Sequence, residues 1–193
     1  MAVLIAVPIT YDTDAAPLSV ARREKAARYR LEADQKRCLC AGVALDEALK
    51  TVGLREQTAV ILQDKHGKPY LSEYPQYHFS LSHSGDYAVC VLTDAPVGVD
   101  IERVRVLDWE RAAKRAFTTA QCEWLRSQPE KERTDAFFGL WTERESRLKQ
   151  SGSGLSGLSA NCIELPCRAY SLDGYHLTVC TDGTFPDGLT IIE

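Results

Sequence analysis

Two acidic side chains stand two residues apart in Gly98-Val99-Asp100-Ile101-Glu102, alternating with Val99 and Ile101. In a strand that spacing puts both carboxylates on one face and turns the valine and isoleucine to the core. Like charges held together are unfavourable unless a cation lies between them. Such oxygens suit magnesium, which takes one or two carboxylates together with waters and substrate phosphates. An acid pair at the exposed face of an ordinary strand end looks the same, so the motif gains force only from its company. A second group lies in Trp141-Thr142-Glu143-Arg144-Glu145-Ser146-Arg147-Leu148-Lys149, where Trp141, Glu145 and Lys149 are four apart and share a helix face. One reading is a surface ion pair worth roughly a few tenths of a kcal/mol, anchored by a core tryptophan. The other makes Glu145 a third metal ligand or general base, with Lys149 beside it to neutralise developing negative charge. Spacing is compatible with both. A third group, Ser82-His83-Ser84-Gly85, sits at a strand end where side chains and turn amides can converge on an anion. A serine hydrolase reading lacks the nucleophile elbow, and His78 and His176, in apolar surroundings, read as packed.

The elements that must carry these groups follow from periodicity and punctuation. Residues 2–9 form an apolar run that suits a buried strand. Ser19 offers an N-cap for a helical region reaching about Thr51, with Gly53 placed to stop it. Residues 58–62 read as a strand, and 64–77, with Gly67, Pro69 and Pro75, as loop or edge structure. From Tyr77 the chain alternates, with Phe79 and Leu81 on one face and His78, Ser80 and Ser82 on the other. It then turns at Ser84-Gly85-Asp86 and returns through 88–92 as a hairpin. Asp94-Ala95-Pro96 marks a boundary, followed by a strand over 97–104 and helices over 109–117, 119–127 and 134–150. Gly152, Gly154 and Gly157 interrupt, and Tyr170, 177–180 and 189–192 close the chain as strands. Element order therefore predicts an α+β fold built as a pseudo-two-fold duplicated α/β unit, halves 1–94 and 95–193, with the chemistry in the cleft between them. Residue identity shows no clear repeat.

Composition bounds the function. At 193 residues, with 45% apolar and 26% charged positions, the chain is an ordinary domain rather than a disordered or fibrous one. It should remove roughly 70% of its extended-chain surface from water, so no staple is needed, and most of its seven cysteines read as small buried apolar residues in a reducing compartment. Cys162 and Cys167 lack the second half of a metal site. The apolar opening is broken by Pro8 and carries no basic leader, so a cytoplasmic, membrane-free protein is expected. The net charge of −4 argues against a nucleic-acid binder. Residues 21–40 nevertheless hold seven basic side chains against three acidic ones. That is either a solvated helix face or a local anion site.

Taken in order, these segments resemble the 4′-phosphopantetheinyl transferase superfamily, of the monomeric type that activates peptide and polyketide synthetases. The strings that carry the likeness are Gly67-Lys68-Pro69-Tyr70, Phe79 through Gly85, Pro96 through Glu102, and Trp141 through Gly152 with Gly154-Leu155. Arg22-Arg23-Glu24-Lys25 and residues 34–39 are fainter matches. The resemblance implies Mg2+-dependent transfer, with Mn2+ as a substitute, of the phosphopantetheine arm of coenzyme A to a serine of an apo carrier protein of acyl, peptidyl or aryl type. Asp100, Glu102 and Glu145 are then the metal ligands, and Glu145, Lys149 and His83 the catalytic groups. Arg22, Lys25, Arg37 and His83 are implied phosphate contacts, while Lys68, Pro69 and Ser82 lie where the nucleotide is held. Two positions depart from the family pattern: Arg144 stands where lysine is usual, and Cys38 where relatives often have a hydroxyl. A non-catalytic binding module and a metal-dependent phosphohydrolase are the rival readings.

Overall fold

The computed structural model describes residues 1–9, 13–152 and 165–192, so Gly154, Leu155, Gly157 and Cys162 lie outside the described residues. The chain runs β1 (Ala2–Pro8), α1 (Val20–Ala27), α2 (Glu32–Lys50), β2 (Ile61–Gln63), β3 (Pro69–Leu71), β4 (His78–Ser84) and β5 (Tyr87–Thr93). It continues through β6 (Val97–Arg103), α3 (Trp109–Ala116), α4 (Thr119–Ser127), α5 (Arg133–Ser151), β7 (Cys167–Leu172), β8 (Tyr175–Thr181) and β9 (Leu189–Ile191). This is a mixed α+β protein. Strand order before and after Pro96 follows one plan: β1 pairs with β5, which pairs with β4, and β6 pairs with β8, which pairs with β7, all antiparallel. β9 then returns to lie parallel to β1, while β2 and β3 form a separate hairpin.

Alternation along β1 and β5 sorts their side chains between two cores. Ile5, Val7, Cys90 and Leu92 pack against Leu45 and Leu49 of α2. Leu4, Ala6, Val89 and Val91 meet Val99, Ile101, Leu177 and Val179 of the second sheet. A third cluster, around Leu125, Phe137 and Phe138 with Trp141 against it, joins α3, α4 and α5. The layers therefore stack as α2, first sheet, second sheet, α5.

β4 and β6 meet as edges without a backbone ladder. The β6 N–H groups of Val99, Ile101 and Arg103 donate instead to the hydroxyls of Ser80, Ser82 and Ser84 at 3.1, 3.4 and 3.1 Å. A serine at every second position satisfies donors that an edge strand would otherwise leave open. On the other side of β6, α5 comes close enough that a Cβ on Gly98 would overlap the Ser146 carbonyl oxygen. Buried hydroxyls tie that helix to β8, with Thr142 2.9 Å from Thr178 and Ser146 donating to the Thr178 carbonyl at 2.7 Å.

The structure departs from the sequence expectations at three places. The single helical region over 19–51 is two helices, because Leu31 is extended at φ −98° and ψ 132°. No glycine or proline marks that break. The strand expected over 58–62 lies instead at Ile61–Gln63. Finally, Cys167 and Cys180, directly opposite one another in β7 and β8, are joined as a disulfide, whereas free thiols were expected; Cys38, Cys40, Cys90 and Cys122 are buried and free.

Replacing Gly98 by alanine forces β6 and α5 apart. Gly98→Ala is expected to cost at least about 2 kcal/mol and to lower the melting temperature by roughly 4 °C or more. Thermal unfolding followed by circular dichroism measures this, and an unchanged Tm contradicts the close approach.

Candidate active site

The serine ladder fixes more than the seam. Ser82 Oγ, while accepting from Ile101, donates to Asp100 Oδ1 at 2.9 Å, and Ser84 Oγ donates to Glu102 Oε2 at 2.8 Å. Both acidic side chains of β6 are thereby aimed by the neighbouring strand. α5 contributes from the other side: Lys149 Nζ lies 2.7 Å from Asp100 Oδ1 and 2.9 Å from Ser82 Oγ. Glu145, one turn earlier, is paired with Arg144 at 2.6 Å, and the Arg144 guanidinium sits 6.0 Å from the centre of the Trp141 ring. Arg144 thus engages Glu145 through one terminal nitrogen while its guanidinium lies over the tryptophan ring.

Asp100 is 6% exposed, and its pKa is raised because burial outweighs the nearby Lys149 ammonium and its hydrogen bonds. Glu145 is raised for the same first reason, Arg144 pulling it down and the charge of Asp100 pushing it up. Asp100 is pushed up in turn by Glu102. Asp100 thus sits electrically between Glu102 and Glu145.

One oxygen is left over. Asp100 Oδ2 is buried with no hydrogen-bond partner, a costly condition that calls for an explanation. An oxygen donor set of this kind fits a hard divalent cation. As they lie, however, no three His, Cys, Asp or Glu side chains among the described residues come together as a metal cluster. Each acid is drawn to its own cation: Asp100 to Lys149, Glu145 to Arg144, and Glu102 to Arg105 at 3.0 Å.

A cavity of about 730 Å3 opens beside this cluster. Its walls carry Arg22 and Lys25 from α1, Lys68 and Pro69 from the β2–β3 hairpin, and Glu145 and Lys149 from α5; Phe79, Leu81 and Leu148 give it an apolar side. The Lys68 ammonium is spent on backbone, donating to Gln150 O at 2.6 Å and Val97 O at 3.3 Å, and desolvation lowers its pKa. It is a strut between the hairpin and the end of α5. Ser82, His83 and Arg37 do not line the cavity. Ser82 is buried in the seam, and Arg37 pairs with Asp34 on its own helix at 2.7 Å. His83 is open to water at the end of β4, yet the surrounding protein and then the Arg37 and Lys149 charges lower its pKa. His176 is not merely packed, because its Nε2 lies 2.9 Å from Asp135 Oδ1. Cys38 is buried in α2.

Sequence reasoning missed Glu56, which is fully buried, lines the cavity and binds Arg22 Nε at 3.2 Å. It also missed Asp46, buried beneath it. Neither stands in a motif, and the Glu56 partners Ser19 and Arg22 are 37 and 34 residues away.

Comparison with known proteins places this chain among relatives. Residues 96–180 match the 4′-phosphopantetheinyl transferase superfamily, and residues 8–94 match the N-terminal region of 4′-phosphopantetheinyl transferases. The chain is 34% identical to the 4′-phosphopantetheinyl transferase psf-1 of Bacillus pumilus over 85% of its own length and 78% of the relative. It is 30% identical to the 4′-phosphopantetheinyl transferase Sfp of Bacillus subtilis (strain 168), covering 91% of this chain and 88% of that one.

The environment of His83 has a measurable consequence. Its imidazole is expected to titrate below the ordinary value near 6.5, and Arg37→Ala to bring it back toward that value, as read by NMR of the ring resonances. Because the unfolded chain holds the proton more tightly, this group makes stability rise with pH through the window below about 6.5. A His83 that titrates normally and ignores Arg37 contradicts the assignment.

Proposed function

Because this chain belongs to the 4′-phosphopantetheinyl transferase superfamily and is a transferase that places phosphopantetheine on carrier proteins, we propose that it draws the arm from coenzyme A in the cavity between α1, the β2–β3 hairpin and α5. The observation that carries this reading is the joining of opposite chemistries in one cavity: Arg22 and Lys25 on one wall, Glu145 and Lys149 on another, next to the orphaned oxygen of Asp100. The halves 1–94 and 95–193 act as one unit that shares the cleft.

Asp100, Glu102 and Glu145 hold Mg2+ or Mn2+, competing with the internal cations that engage them now. Such an ion supplies charge neutralisation on the diphosphate oxygens of the substrate. Arg22 and Lys25 bind phosphate groups, with His83 and Arg37 as outer contacts, while Lys68 and Pro69 form the wall for the nucleotide. Ser82 acts through Asp100 and Lys149, holding both. The serine oxygen of the carrier attacks the phosphorus on the pantetheine side of the diphosphate. A new P–O bond forms, the bridging P–O bond breaks, and its electron pair leaves with adenosine 3′,5′-bisphosphate. Glu145 accepts the serine proton at a carboxylate oxygen, and Lys149 stabilises negative charge developing beside it.

The partner is an apo carrier protein of acyl, peptidyl or aryl type, and the enzyme works as a monomer in the cytoplasm. No described helix is long and apolar enough to cross a membrane.

Incubation with coenzyme A, Mg2+ and an apo carrier is expected to add one phosphopantetheine to the carrier, seen by intact mass, and chelation to stop it. Asp100→Ala, with the fold retained, should lower the rate at least about 100-fold. Bisphosphate release without a carrier would favour hydrolysis, and coenzyme A binding without transfer to any of several carriers would favour a binding module. Undiminished transfer by folded Asp100→Ala overturns the ligand assignment.

A further inference from the structure

Resting on the coenzyme A reading above, we propose that Glu56 is a positioning residue: it holds Arg22 by Nε and so turns the guanidinium's two terminal amino groups toward a phosphate of coenzyme A. Glu56 is 1% exposed although it borders the cavity. A carboxylate under an anion site opposes binding unless it is neutralised. Here both its oxygens are engaged, by Ser19 N–H at 2.7 Å, Ser19 Oγ at 3.1 Å and Arg22 Nε at 3.2 Å. The guanidinium is a rigid plane, so gripping Nε fixes where the other donors point. Those donors have no protein partner among the described residues.

The same carboxylate sets the helix that bears the site. Ser19 is the N-cap of α1, its hydroxyl accepting from Arg22 N–H at 3.2 Å, so Glu56 anchors the turn that carries Arg22 and, three residues on, Lys25. The Arg22 stem is confined as well: a Cβ on Gly42 would stand 3.1 Å from Arg22 Cγ. Beneath, Asp46 accepts from Glu56 N–H at 2.9 Å and takes Arg55 as a two-pronged pair at 2.9 Å for each prong. Burial pushes Asp46 up, but the bonds from Arg55 and the Glu56 amide, with the charges of Arg55 and Lys50, hold its pKa below the usual value. The chain of contacts runs Asp46, Glu56, Arg22, cavity, and is rooted in α2.

A Glu56 that merely glued α1 in place would affect melting and leave substrate affinity alone. A positioning Glu56 separates the kinetic constants. With the full chain, coenzyme A and an apo carrier, Glu56→Gln is expected to raise KM for coenzyme A about tenfold, leaving kcat and the carrier KM within about twofold. Arg22→Lys, which keeps the charge and loses the Nε handle, should do the same, and the double variant should be no worse than Arg22→Lys alone. An unchanged coenzyme A KM in Glu56→Gln, or additive effects in the double variant, overturns the proposal. Should Glu56→Gln not fold, Arg22→Lys decides, and a wild-type KM there overturns it. A wild-type protein that transfers nothing from coenzyme A sinks the underlying reading and this inference together; normal wild-type transfer with an indifferent Glu56→Gln sinks this inference alone.

Discussion

The serine hydroxyls between β4 and β6 are the contact on which the site depends. An edge strand with open N–H groups must be paired, covered or blunted. Here Ser80, Ser82 and Ser84 supply acceptors at the spacing of the strand itself, and two of them pass a hydrogen bond on to Asp100 and Glu102. A seam of backbone bonds would join the two sheets equally well but would have no side-chain hydroxyl left to aim a carboxylate. The apolar contact of Leu4, Ala6, Val89 and Val91 with the second sheet supplies the larger stabilisation, roughly 1.5–3 kcal/mol for each large side chain fully buried. It is non-directional, whereas hydrogen bonds worth only about 1 kcal/mol each set the register that chemistry needs.

Gly98 completes the arrangement from the opposite side. The missing side chain lets the backbone of α5 rest against β6 at Ser146 and Gln150, and Lys149 lies between those two residues in sequence. That closeness brings the ammonium within 2.7 Å of Asp100. A wider spacing would leave Asp100 buried with neither oxygen charge-compensated, a condition that costs far more than an exposed pair gains. Glycine, serine ladder and lysine are therefore one device.

Much of this was legible in the amino-acid order, and the illegible parts share a cause. The alternation through Phe79 and Leu81, the acid pair at Asp100 and Glu102, and the helix spacing of Glu145 and Lys149 are local patterns, and the structure places each on the element its period implies. The family resemblance puts Ser82 where the nucleotide is held, and local pattern says nothing of what else it touches. Its partners, 18 and 67 residues away, are revealed only by the fold. Glu56, whose partners lie 37 and 34 residues away, was invisible for the same reason. The break between α1 and α2 carries no glycine or proline, so nothing in the sequence announces it. The cysteine pair shows the limit of arguing from core size: a chain that needs no staple can still bring Cys167 and Cys180 face to face through strand register.

The basic run over 21–40 resolves into two kinds of charge. Lys36 pairs with Glu32 and Arg37 with Asp34, as alternating signs on a solvated helix do, whereas Arg22 and Lys25 face the cavity. The count of charges could not separate them; the turn at Leu31 does, by giving α1 a direction of its own. The acidic side of the site obeys the matching rule. Asp100, Glu102 and Glu145 each lean on an internal cation, so no full negative charge is left uncompensated in a poorly hydrated place. Any external cation must therefore compete with Lys149, Arg105 and Arg144. What favours the exchange is the Asp100 oxygen that none of the three reaches.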